Sequence, residues 1–255
     1  MAVEVVGVRR SVQREAKRGV PCEPKRGGRR RVVLVVVGLL LALNLVSKLT
    51  PLSSWFFTVP LGVGVLVFVA RRMGMTWHDI GLSRETLKKG LWYGAVASIL
   101  VLLGVTIGLL IPLTRPLFLD EGFSSVRTAL LSAFVIIPLQ TALPEELAFR
   151  GVLHSSLQEL GGIKAAVLVG SGLFGLWHVT SSFGLTAGNQ GLTAILGSGT
   201  FAQLAGIGLA VLATSLAGLA FTWLRHRTGS VLAPLGLHCA FNGFGALAAA
   251  AAFHL

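Results

Sequence analysis

The chain is short of most things that soluble domains are built with. Only 13% of its 255 residues are charged, against about 25% in a typical soluble domain. Acids are the scarcest, with 10 Asp and Glu against 22 Lys and Arg. Two cysteines, Cys22 and Cys239, exclude a disulfide framework and a CxxC metal site. An HExxH pair is absent, which excludes the helical zinc-protease signature. No internal repeat is visible, so the usual pointer to an inverted-repeat transporter is missing. No small-x-small site closes the first apolar run, and a cleaved leader is not expected.

What remains is apolar: 53% of residues are hydrophobic. They fall in seven runs, near 32–47, 55–70, 91–112, 126–147 (continuing as helix toward 160), 163–180, 201–224 and 231–253. The first two are short for a span of ~20 residues. The pattern predicts an all-α, polytopic transmembrane helical bundle of about seven membrane helices, with six to eight as the range. Three parts follow: a basic, disordered cytoplasmic tail over 1–31, an N-terminal transmembrane hairpin over 32–75, and a core over 76–255. The 32 glycines suit close helix packing in lipid.

The net charge of +12 would suggest nucleic acid in a soluble protein. Here the basic residues flank apolar runs, and no base-reading motif accompanies them, so no nucleic-acid partner is expected. The tail, Arg71, Arg72, Lys88, Lys89, Arg225 and Arg227 would lie inside. The expected location is the plasma membrane with the N-terminus cytoplasmic, and the lipid bilayer is the expected partner.

An ionisable side chain within a membrane helix costs about 2.5–3.5 kcal/mol on insertion scales, so each one needs a reason. Glu146 and Arg150 are spaced i, i+4 and can pair across one helical turn. Glu145 points about 100° away and stays available as a general base or acid. His178 ends the fifth run. His238 and Asn242 are again i, i+4 and share a face of the seventh. Gly161-Gly162 is the turn between the fourth and fifth helices. Glu145 lies 16 residues before it and His178 lies 16 after it. In an antiparallel hairpin both sit ~24 Å from the tip, opposite each other. For His238 to reach that depth, the tip must project beyond the bilayer by ~11 Å, which makes His154, Gln158 and Glu159 solvated surface.

In order, these residues read Glu145-Glu146-x-x-x-Arg150, Phe174-x-x-x-His178 and His238-x-x-x-Asn242. That series resembles the EExxxR, FxxxH and HxxxN/B motifs of the CPBP or Abi intramembrane proteases, which include the type II CAAX prenyl endopeptidases. Trp77–Leu82 and Arg225–Pro234 also look like that family, and the resemblance runs from about Thr76 to Gly243. It implies an intramembrane endopeptidase acting on a membrane-associated or lipidated peptide or protein. Glu145 with His178 would activate water, and His238 with Asn242 would stabilise the oxyanion. Glu146 and Arg150 would brace the first motif, and Phe174 would shape the pocket. The family is filed with metalloproteases. Glu145, His178 and His238 are therefore candidate zinc ligands, although a glutamate-dependent mechanism requires no cofactor. Two other readings stay open: a non-catalytic membrane immunity or scaffold protein, and a proton-coupled small-solute transporter using Glu145 and His178 as a relay.

Overall fold

A computed structural model describes residues 26–49 and 57–255, with side chains from 30–46 and 57–255. Cys22 and the first 25 residues of the basic tail lie outside the described residues. Helix α1 (Arg26–Leu49) begins within the basic stretch and α2 (Thr58–Arg72) follows it. After the single turn α3 (Trp77–Ile80) comes α4 (Arg84–Leu110). The longest element, α5, runs over Val126–Trp177. Two short helices, α6 (Leu185–Gly188) and α7 (Gln190–Leu196), precede α8 (Thr200–Thr228) and α9 (Leu232–Ala252). The described residues are thus all-helical, and Asp120↔Asn189 is an isolated β-bridge.

Four helical stretches among the described residues are long and apolar enough to cross a membrane: Trp77–Leu110, Val126–Trp177, Thr200–Thr228 and Leu232–Ala252. Leu100, Leu103, Phe134, Leu204 and Leu212 are exposed along them. In water that surface would aggregate, and in lipid it is the outer wall of the bundle. The count of seven membrane helices is not reached on these criteria. One reason is that α5 contains two of the expected segments in one stretch. Gly161 and Gly162 break it, and Gly162 takes φ 70°, ψ −170°, a backbone conformation that side chains disfavour. The chain then returns, because Trp177 Nε1 donates to Glu145 Oε1 at 3.0 Å.

The first limb of α5 is not uniform. It widens to i→i+5 hydrogen bonding over Ser132–Ala142 and Leu147–Leu153, on either side of the turn Leu143–Glu146. Pro138 and Pro144 cannot donate, and each ring crowds the carbonyl four residues earlier. Wide turns of this kind concentrate at functional sites. Here they bracket the two adjacent glutamates.

Small residues bring the remaining helices together. Gly94 of α4 and Gly236 of α9 meet so closely that a Cβ on Gly236 would stand 3.0 Å from Gly94 Cα. Ser98 Oγ donates to Gly236 O at 3.1 Å across the same crossing. At the basic end, Arg225 Nε donates to Arg150 O at 2.9 Å, and its Nη2 donates to Asp79 O at 2.7 Å. Those bonds tie α8, α5 and α3 together. They also correct the expectation for His154: it is buried, 3% exposed, beneath α3, where Ser155 Oγ donates to Asp79 O. Gln158 and Glu159 are exposed as expected.

The α4–α9 crossing carries a prediction. Gly236→Val should destabilise the bundle by about 1–3 kcal/mol through overpacking. Gly104→Val, where nothing lies within 4 Å of the added Cβ, should leave unfolding in bicelles unchanged. Equal effects of the two variants would remove the close crossing as a source of stability.

Candidate active site

The three motifs meet at one cavity of about 810 Å³, lined by Glu145, Phe174, His178, His238 and Asn242 together with Gln140, Thr141, Trp177 and Phe221. The apolar wall opposite comes from α8, through Ala213, Leu216, Ala217 and Ala220. The four residues expected to carry chemistry come from the first limb of α5, from the residue that caps its second limb, and from α9. Their approach is what the hairpin arithmetic required.

The two glutamates have different surroundings. Glu146 is fully buried. Its Oε1 accepts from Arg150 Nη1 at 3.0 Å and pairs with His238 Nδ1 at 2.8 Å. The Arg150 guanidinium lies over the rings of Phe174 at 4.0 Å and Phe221 at 4.7 Å. These aromatic faces are favourable for a cation that lacks water. Glu145 is also buried but faces the cavity. Its Oε1 accepts from Trp177 Nε1, while its Oε2 has no hydrogen-bond partner among the described residues. That oxygen stands 3.7 Å from His178 Nε2 and 3.9 Å from His238 Nε2.

Hydrogen bonding sets both imidazole tautomers. His178 Nδ1 lies 2.8 Å from Phe174 O. A carbonyl only accepts, so Nδ1 carries the hydrogen and neutral His178 turns a lone pair on Nε2 toward Glu145. His238 Nδ1 likewise donates to the Glu146 carboxylate, so its Nε2 holds a hydrogen only in the imidazolium form. Phe221 stacks on His238, with centroids 5.1 Å apart at 19°. Phe174 meets His178 edge-on at 4.7 Å. Asn242 is exposed at the cavity wall.

Zinc would need Glu145, His178 and His238 to converge on one point. Their tautomers suit ligation, since each Nδ1 is bonded elsewhere. As placed, however, no three His, Cys, Asp or Glu side chains among the described residues form a group able to hold a metal ion. The chemistry below is derived for this chain's own side chains.

Sequence reasoning did not single out Trp177, Phe221 or Gln140. Trp177 sits at an unassigned position inside the second motif, where only its indole N–H distinguishes it. Phe221 had no motif at all. A prediction follows from the Glu146 cluster. Arg150→Met leaves a buried carboxylate short of its cation and should cost about 3–5 kcal/mol, read as a loss of unfolding midpoint in lipid bicelles. A loss under 1 kcal/mol would mean that Glu146 is not the anchor described.

Residues 127–244 match a family model described as type II CAAX prenyl endopeptidase Rce1-like. No match was found among curated proteins or among solved structures. All three motifs fall within the matched span, the part of this chain that is similar to the Rce1-like type II CAAX prenyl endopeptidases.

Proposed function

We propose that this integral membrane protein is an endopeptidase that hydrolyses a peptide bond of a membrane-associated or lipidated peptide, with Glu145 as the general base. The observation that carries the reading is the unpartnered Glu145 Oε2 in a cavity, 3.7 Å from the lone pair of His178 Nε2. Two acceptors have no hydrogen to share and do not bond to each other directly. They can each accept one hydrogen of a single water.

In the reaction, Glu145 takes a proton from that water while its oxygen attacks the substrate carbonyl carbon. The carbonyl oxygen becomes an oxyanion and accepts hydrogen bonds from Asn242 Nδ2 and from His238 Nε2–H in the imidazolium form. The C–N bond then breaks as Glu145 returns the proton to the leaving amine. His178 orients the water, while Glu146, Arg150 and Phe174 fix His238. The apolar wall of α8 suits a substrate that arrives from the bilayer. Basic residues flanking the spans support a cytoplasmic N-terminus with the basic end facing the cytoplasm, and the plasma membrane is the proposed location.

The test is cleavage of an internally quenched farnesylated CAAX-type peptide in proteoliposomes. Glu145→Gln should lower kcat by about 10²–10⁴-fold, and Asn242→Ala by about 10²–10³-fold, with folding intact. Cleavage by Glu145→Gln at the wild-type rate would remove the assignment. Proton-coupled flux in vesicles without cleavage would instead favour transport.

A further inference from the structure

Asn44 is the polar residue that the α1 sequence does not explain. It lies among Val, Leu and Ala in 32–46 and is only 8% exposed. A buried amide in a membrane helix is retained when it has hydrogen-bonding work to do. Its Nδ2 donates to Trp177 O at 2.9 Å, and its Oδ1 accepts from Thr180 Oγ1 at 3.1 Å. Both contacts fall where α5 ends, beside His178.

Helix ends leave carbonyls without intrahelical partners, and the end of α5 accounts for each of them. Phe174 O takes His178 Nδ1. Gly175 O and Leu176 O take the N–H groups of His178 and Val179. His178 O takes Ser182 N and the hydroxyls of Ser181 and Ser182. Trp177 O is satisfied from another helix, by Asn44. The same residue, Trp177, sends its indole N–H to Glu145 Oε1. Its ring is otherwise held edge-on by Phe149, with centroids at 5.6 Å and 73°.

We propose that Asn44 and Trp177 are positioning residues: Asn44 pins the backbone of Trp177, and the Trp177 indole fixes the Glu145 carboxylate so that Oε2 faces the cavity. The inference rests on Glu145 being the working carboxylate. It also gives α1, which lies outside the family-matched span 127–244, a part in the reaction. α1 completes the site by holding the Trp177 end of α5.

Two measurements test this. The first needs no substrate. With ¹⁵N-labelled tryptophan, the indole N–H resonance of Trp177 is the one of five that disappears in Trp177→Phe. It should move in Glu145→Gln, which changes its acceptor, and move in Asn44→Leu by at least half as much. A Trp177 resonance unmoved by Asn44→Leu would overturn the relay. The second is kinetic, with the farnesylated peptide above. Asn44→Leu and Trp177→Phe should each lower kcat about tenfold with KM unchanged, and the double variant should fall no further than the worse single one. Multiplying losses, or a change confined to KM, would mean that the two residues act separately. If Glu145→Gln cleaves the peptide normally, the catalytic reading fails, and the indole shift still decides the relay.

Discussion

The candidate site depends on one buried carboxylate whose bonds face away from the cavity, that of Glu146. Glu146 joins α5 to α9 by accepting from Arg150 and His238 at the same oxygen. Removing that charge from water costs several kcal/mol, which only charge-assisted bonds offset. Arg150 supplies the charge, and the rings of Phe149, Phe174 and Phe221 surround it in place of water. Because Glu146 takes the Nδ1 hydrogen of His238, the Nε2 edge of that ring faces the cavity. Because Glu146 is engaged, Glu145 is the carboxylate left to face the cavity with it.

The second constraint is close approach. A hairpin turned at Gly161-Gly162 sets Glu145 against His178, and the Gly94–Gly236 crossing seats α9 against α4, two residues before His238. Each crossing works by small side chains, since lipid offers no hydrophobic drive between helices. The wide turns flanking Leu143–Glu146 then orient the two glutamates within a helix that Pro138 and Pro144 would otherwise kink.

Much of this geometry was legible in the sequence, because charge in a membrane helix is rare enough to be read residue by residue. The Glu146–Arg150 pair follows from i, i+4 spacing, and the meeting of Glu145 with His178 follows from equal distances to a glycine pair. The second partner of Glu146 was not legible: nothing in His238-x-x-x-Asn242 says which edge of the imidazole faces which helix. His154 was misjudged because its helix packs at the basic end, where Ser155 bonds to Asp79 of α3 and Arg225 of α8 bonds to Arg150 and Asp79, contacts that spacing within α5 does not reveal. Asn44 and Trp177 escaped because neutral donors carry no signal until their partners are known. The expected helix count rested on runs of apolar residues, which do not show where two runs share one broken helix.

The central claim is that Glu145, the two imidazole Nε2 atoms and Asn242 surround one reacting carbonyl. The most direct measurement is an experimental structure in lipid with a phosphinic peptide, whose tetrahedral phosphorus group resembles the hydrated peptide bond. One phosphinyl oxygen should lie within hydrogen-bond reach of Glu145 Oε2 and His178 Nε2, and the other against Asn242 Nδ2 and His238 Nε2. A phosphinyl group bound elsewhere, such as the polar cavity of about 560 Å³ beside Asp79, His154 and Arg225, would contradict the account.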